Sequence, residues 1–600
     1  MAENDKKEAQ EAIQEEMAAA ATSGKGRDWS QLYKKEDWWA NWLGLALLLF
    51  ALLVFWGAVP AEAPEILEEQ AAIVEAEEER APFATIEQIK AQDKLDSIRA
   101  RDHGLGPAMS NLIQRPKRWE TSPVQSIYMS ESQAAEMRAE AQPRYEEAQE
   151  KTEQALEEAR EAQAAAAEAD FQDEALNQAA VDAIDSWLSA RSAESRARSA
   201  ANVSGYNVIP SMLLLMILTG LMFAIGIRFM GGNVASFLKG YPVVFIIASI
   251  GFFIGNHAIA REYGLSYVLW CIIIGLLISN TISTPKWIKP AVQTEYYIKT
   301  GLVLLGGSIL FGLILMIGAP GIVVAWGVTP TVLIIGYWVG NKYIKLPSKP
   351  LNITVAAAAS VCGVSAAIAA AAASKAKGEE LTIAVGLSLV FTALGMFLMP
   401  AFVMAVGMNP ILGGAWVGGT VDSTGAVVAA GELLGPGAMY TAATLKMIQN
   451  VMIGILAFGI AAYWAVKVER EGSNVELSVG SALREIWVRF PKFVLGFVAA
   501  SIFFTIIYAS LGHQMGETIV SDGVLGGWAN PLRAWFFAMA FTSIGLATNF
   551  RELAKYFAGG KILYHYVFTQ GFNVILTLIL AWLMFMVVFP GITEQLMEIR

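Results

Sequence analysis

The sequence predicts an all-α polytopic membrane protein: an N-terminal transmembrane helix, an extracytoplasmic helical arm, and an inverted-repeat bundle with discontinuous or re-entrant helices. Three observations carry this. Of 600 residues, 55% are hydrophobic and 16% charged, proportions foreign to soluble chains of that length. Charge is segregated, with 30 acids against 15 bases in residues 61–205 and 22 bases against 15 acids in residues 206–600. From Val208 onward, apolar runs recur that are long enough to cross a hydrocarbon core of ~30 Å. The bilayer is therefore a partner. A net charge of −11 without a basic cluster excludes nucleic acid. Cys271 and Cys362 lie in apolar runs about 90 residues apart, so neither a disulfide framework nor a zinc site is expected.

Residues 1–38 form a charged tail and residues 39–60 the anchor, with Trp38, Trp39 and Trp42 at one interface. Ala61-Glu62-Ala63 has the form of a processing site. The long acidic tail and long apolar run favour a retained helix over a cleaved signal. Lys34 and Lys35 precede the run and an acidic stretch follows it, which predicts a cytoplasmic N-terminus with residues 61–205 outside. In that arm Pro82, Pro107, Pro116, Pro123 and Pro143 break the first part. The proline-free stretch from Arg144 to Ile209 predicts one long helix with a thin stripe of Ala175, Leu176, Ala180, Ile184 and Leu188. Such a stripe suits a partner or a homodimer, or else a solvated helix.

Residues 206–600 predict a transmembrane domain with spans near 208–229, 241–259, 264–282, 297–317, 320–340, 381–405, 438–466, 493–511, 531–549 and 563–590. Alternating them from an outside start places Arg228, Lys239, Lys286, Lys289, Lys342, Lys345, Lys349, Lys467, Arg470, Arg484, Arg489, Lys492, Arg551, Lys555 and Lys561 on the cytoplasmic side. Two further stretches, 351–374 and 411–432, are rich in Ala, Gly, Ser and Thr. Crossing and re-entry keep the same parity there, so charge does not choose between them.

Those two stretches hold the polar chemistry. The first centres on Ser360-Val361-Cys362-Gly363-Val364-Ser365, the second on Thr420-Val421-Asp422-Ser423-Thr424. Small residues also serve close helix packing, but an acid within an apolar stretch marks function. Lys446, with Gln449 and Asn450 nearby, is a second intramembrane charge able to neutralise Asp422. His257, His513 and His565 read as loop or interface residues. Weak internal matches pair Ser279-Asn280-Thr281 with Asp422-Ser423-Thr424, Ile298-Lys299 with Leu445-Lys446, and Ala359–Gly363 with Phe541–Gly545. With an odd number of segments per unit, the second unit would be inverted.

These motifs resemble the YeiH-like family of bacterial inner-membrane proteins, named for sulfate export, over about residues 208–590. The resemblance rests on Ser360-Val361-Cys362-Gly363 with the Ala-rich run after it, Gly419-Thr420-Val421 leading to Val427-Val428-Ala429-Ala430-Gly431, Leu445-Lys446-Met447, and Ala538-Met539-Ala540 with Gly545-Leu546 and Thr548. It implies anion export. After Thr-Val the family shows a His-Glu pair where this chain has Asp422-Ser423, so the proton chemistry differs there. Residues 1–205 lie outside the family's core.

The expected function is a secondary active transporter of a small sulfate- or sulfonate-like anion, coupled to a proton or sodium ion. Half-helix N-termini around Ser360, Cys362, Gly363 and Ser365, and around Thr542, Ser543 and Thr548, would offer N–H groups to the anion. Thr420, Ser423 and Thr424 would line the site, Lys446 and Lys299 would add positive charge, and Asp422 with Lys446 would couple the ion. Alternatives are a sodium/proton exchanger on the same fold and a non-transporting scaffold acting through the arm. No nucleophile set, phosphate loop or metal cluster is legible, so no enzyme activity, cofactor or metal is expected.

Overall fold

The computed structural model describes residues 29–263, 265–308, 311–464, 467, 487–488, 490–551 and 560–597. The first 28 residues of the predicted tail, and Arg470, Arg484, Arg489 and Lys555 of the predicted loops, lie outside them.

The anchor is α1 (Glu36–Ala58). Its apolar run is buried on one side, at Leu48, Ala51 and Phe55, so it packs into the bundle rather than standing alone in lipid. The arm follows as α2 (Ala63–Arg80), α3 (Ile86–Ser97) and α4 (Gly106–Leu112). An extended segment then lies on the bundle: Trp119 Nε1 donates to the Phe253 carbonyl at 2.8 Å, and Asn256 Nδ2 donates to that of Pro116 at 2.6 Å. Arg101 pairs with Asp522 at 3.0 Å.

The long proline-free helix expected from 144 to 209 is two helices. α5 (Glu131–Glu168) carries Pro143 in its interior, so that proline does not break it; the carbonyl it frees lies on an exposed surface where water can bond it. Asp170 and Phe171 then turn the chain with φ of 49° and 56°. Asp173 accepts from the Ala175 and Leu176 amides to start α6 (Glu174–Ala201). The two helices pack side by side. Ile184 and Trp187 bury against Ile86 and Ala159, so much of the stripe read as a partner surface is used inside the arm. Strands β1 (Tyr128–Met129) and β2 (Tyr206–Asn207) pair antiparallel and close the arm at its base.

The membrane portion runs α7 (Ile209–Phe229), α8 (Val234–Gly255), α9 (Tyr267–Thr281), α10 (Thr294–Ser308) and α11 (Phe311–Val339). It continues with α12 (Lys349–Ala358), α13 (Gly363–Ser374), α14 (Gly378–Ala405), α15 (Pro410–Thr420), α16 (Thr424–Leu434) and α17 (Pro436–Tyr463). Last come α18 (Phe493–Leu511), α19 (Asn530–Ala547), α20 (Lys561–Trp582) and the short α21 (Pro590–Met597). Among the described residues, 8 helices are long and apolar enough to cross a membrane. The boundary expected at 317–320 is absent, because α11 runs through those residues with Pro320 inside it, a position membrane helices tolerate when neighbours satisfy the freed backbone.

Both ambiguous stretches are helical hairpins. Leu351, near the start of α12, shares one apolar cluster with Ala371 at the far end of α13, Ala376 just past it, and Leu381 of α14. A β-carbon at Gly413, early in α15, would meet the Leu434 side chain at the end of α16. Each pair thus folds back to the side it entered from. The α15–α16 hairpin enters from the arm's side of the membrane and the α12–α13 hairpin from the opposite side, with one crossing, α14, between them.

The helices sort into two groups. One comprises α1, α7 to α10, α18 and α19; the other α11 to α17 and α20. They meet chiefly where α16 lies against α9, α10 and α19, and where α11 meets α18.

Candidate functional site

Two unwound tips face each other inside the second group. Helix α12 ends at Ala358 and α13 begins at Gly363; α15 ends at Thr420 and α16 begins at Thr424. The tips touch directly, with the Gly363 amide donating to the Asp422 carbonyl at 2.8 Å. Glycine is required at 363 because a β-carbon there would collide with the Ser388 hydroxyl and press on the Asp422 side chain.

Unwound backbone in a membrane interior leaves carbonyls that must find donors. Here α17 and α20 supply them. Lys446 Nζ donates to the Val361 carbonyl, and to Gln449 Oε1 at 2.7 Å. Gln449 Nε2 lies 3.2 Å from the Ser360 carbonyl, 3.1 Å from that of Gly419 and 3.3 Å from Thr329 Oγ1. From α20, Asn573 donates to Ala359 and Gln570 to Thr420, both at 3.0 Å. Tyr566 donates its phenolic proton to Asp422 Oδ2 at 2.6 Å. Asn450 donates to Thr424 Oγ1 at 3.2 Å.

Several buried oxygens at this crossing make no hydrogen bond: Asp422 Oδ1, Thr420 Oγ1, Asn450 Oδ1 and Gln570 Oε1. Unpaired acceptors around a carboxylate are a place for a proton or a small cation. The first turns of α13 and α16, beside the Lys446 ammonium, are a place for negative charge. Among the described residues no three His, Cys, Asp or Glu side chains gather as a metal site.

The expected site residues divide. Ser360, Cys362, Gly363, Thr420, Asp422, Ser423, Thr424 and Lys446 come together at the tips. Ser365, one turn into α13, is exposed. Asp422 and Lys446 are both buried, at 2% and 0% exposure, but the ammonium is held by Val361 and Gln449 instead of the carboxylate. Thr542 and Ser543 lie near the end of α19, not at a helix start, and Thr548 follows that end. What this stretch presents is carbonyls: Ser279 Oγ donates to those of Gly545 at 2.9 Å and Thr548 at 2.7 Å, and Asn280 donates to Thr548 at 3.0 Å. Its N–H groups are spent within the helix, so it is no anion cradle. Gly275 and Gly545 bring α9 and α19 into backbone contact there.

Lys299 is also elsewhere. It pairs with Glu36 at 2.7 Å and Asp37 at 2.9 Å, fastening α10 to the anchor. His257 and His513 sit at the edge as expected, whereas His565 is fully buried with its Nε2 at 2.9 Å from the Gly336 carbonyl. Sequence reasoning missed the α20 residues. Tyr566, Gln570, Asn573 and Thr577 recur at helical spacing through an apolar span, a stripe visible in retrospect.

The fold and the tips define a polytopic α-helical membrane protein built around two opposed re-entrant hairpins. The chain belongs to the family described as conserved hypothetical protein 698, whose profile matches residues 239–566. It is 51% identical over 567 residues to a UPF0324 membrane protein of Nitratidesulfovibrio vulgaris, covering 94% of this chain and 97% of the relative; that span necessarily takes in most of the anchor and arm. A UPF0324 membrane protein of Rhodopirellula baltica is 49% identical over 61% of this chain and 66% of its own length. The UPF0324 inner membrane protein YeiH of Escherichia coli K12 is 25% identical over 54% of this chain and 88% of its own. No solved structure matches this chain.

Proposed function

We propose that the chain is a secondary active transporter that moves a small anion of the sulfate or sulfonate class, coupled to a proton or sodium ion. The observation that carries this is the meeting of two oppositely directed re-entrant tips at buried Asp422 and Lys446. Helix N-termini and unwound carbonyls at membrane depth serve ions, not packing, because packing alone is met by continuous helices. The opposed hairpins also support an inverted-repeat origin. Lys446 and the first turns of α13 and α16 attract the anion, and Asp422 takes up the coupling ion when Tyr566 releases it. The basic loops on the side away from the arm support a cytoplasmic N-terminus, and a relative named as an inner membrane protein supports that location. No enzymatic step or cofactor enters this scheme.

The four unpaired oxygens around Asp422 favour a second reading, a sodium/proton exchanger in which Asp422 holds the cation and Lys446 competes with it. Charge movement in proteoliposomes separates the two when sulfate, sulfite, a small sulfonate and sodium are jumped in turn. Anion-evoked current that loses its ion dependence in Asp422→Asn is the expected result. Sodium-evoked current indifferent to every anion selects the exchanger, and unchanged coupling in the variant removes Asp422 from the mechanism.

A further inference from the structure

A second cluster of charge lies away from the tips, on the arm's side of the membrane. A cavity of about 290 Å³ is lined by Arg115, Tyr267, Glu432, Asn530, Arg533 and Ala534. Its charged side chains come from three parts of the molecule: the extended segment of the arm gives Arg115, α19 gives Arg533, and the end of α16 gives Glu432. Both guanidiniums stand over aromatic rings, Arg115 at 5.6 Å from the Phe252 centroid and Arg533 at 5.9 Å from that of Phe537, contacts that hold them through their faces, and Tyr440 also bonds the Arg533 side chain. Arg533 Nη1 and Glu432 Oε2 are each buried without a hydrogen-bond partner. That nitrogen and that oxygen therefore do not bond each other, and an unused donor and an unused acceptor border the same cavity.

We propose that this cavity is a second anion site, a vestibule that receives a small oxyanion of the sulfate or sulfonate class before it reaches the tips; its place on the transport route rests on the function proposed above. Two guanidiniums against one carboxylate leave one net positive charge, and planar N–H forks match oxyanion geometry. The volume holds about ten waters at ~30 Å³ each, so an oxyanion fits while keeping part of its hydration. Position supports the role. Helix α16 runs from the Asp422 tip to Glu432, about 12 Å along the axis at ~1.5 Å per residue. Its first turn, at Gly425, lies against Ile544 of α19, the helix that carries Arg533 near its start. The vestibule thus caps the seam whose inner end holds the tips. Glu432 opposes the guanidiniums across the boundary between the two helix groups, so an anion bridging Arg115 and Arg533 draws on the arm and one group while that carboxylate belongs to the other.

The test needs no transport. Ala534→Cys places a thiol in the lining, and the slower reaction of Cys271, which is buried, and Cys362, which is half-buried, is subtracted using the parent chain. The expected result is that a methanethiosulfonate bearing a sulfonate modifies Ala534→Cys about tenfold faster than its trimethylammonium counterpart, as a positively charged cleft concentrates anions. Inorganic sulfate, at ionic strength matched with gluconate, should slow that reaction. Arg115→Gln with Arg533→Gln should abolish both the preference and the protection. Arg115→Gln alone, on an exposed side chain, should weaken both if the double variant fails to fold. Faster reaction with the cationic reagent, or no protection by sulfate, overturns the proposal. Sulfate protection without any anion flux would instead sink the transport reading and leave this site standing.

Discussion

Gly363 is where the two tips are closest. Its missing side chain lets the amide reach the Asp422 carbonyl, and a methyl group there would meet the Ser388 hydroxyl. Gly363→Ala should therefore cost about 1–3 kcal/mol, the usual range for overpacking a tight interior, and abolish transport by separating the tips. Adding Ser388→Ala should recover part of the stability, read as a melting temperature in detergent. Equal melting of Gly363→Ala and the parent chain would show that the tips part without loss. At this scale the sequence was partly legible. Asp422 and Lys446 announced themselves as charges in apolar runs. Their distant partners did not, because Tyr566, which bonds Asp422, and the Val361 carbonyl, which holds Lys446, lie on elements far off in sequence and only the fold brings them near. The same distance misassigned Lys299, whose partners Glu36 and Asp37 sit in the anchor.

At the scale of elements, hydropathy located the spans and composition located the hairpins, yet not their direction. Crossing and re-entry leave the flanking charges on the same sides, so the difference is carried by packing, such as Gly413 against Leu434. The break in the arm was harder. No glycine or proline marks it, only Asp170 and Asp173 in an Ala-rich run, and Asp173 acts by capping the helix after it. The base of the arm offers a pH test. Glu131 accepts from the Gly205 amide at 2.8 Å and Arg138 at 2.7 Å, contacts that hold its carboxyl below the usual range, the amide bond foremost. A depressed carboxyl pKa stabilises the closed base fully above the unfolded value near 4.5, and this is lost as pH falls through the folded value. The protection factor at the Gly205 amide, intrinsic over observed exchange rate at each pH, should fall on acidification, and Glu131→Gln should remove that fall. A fall surviving in the variant would place the titrating group elsewhere.

For the whole molecule, the grouping of helices sets where function and support reside. The tip residues and their donors, from Lys446 to Asn573, all lie in the second group, whereas the anchor and Lys299 belong to the first. Lys299→Met would leave Glu36, Asp37 and Glu295 together without their cation. We expect a loss of about 1–2 kcal/mol, below the ~3–5 for breaking a fully buried pair, because Glu36 and Glu295 keep contact with water. Coupling in proteoliposomes should stay unchanged while detergent melting falls. Altered ion dependence in that variant would instead tie the anchor to the transport chemistry.

The bonds that satisfy the tips also dictate an order of biogenesis. The Ala359 carbonyl waits for Asn573, 214 residues later in the chain, and that of Ser360 waits for Gln449, 89 residues later. At ~5–20 residues per second the first interval is roughly 10–40 s of synthesis. During that time the α12–α13 hairpin has bare carbonyls that lipid cannot serve. It must rest in the interface or the insertion machinery until α20 emerges, so chains stalled before residue 573 should leave residues 349–374 open to water-borne reagents.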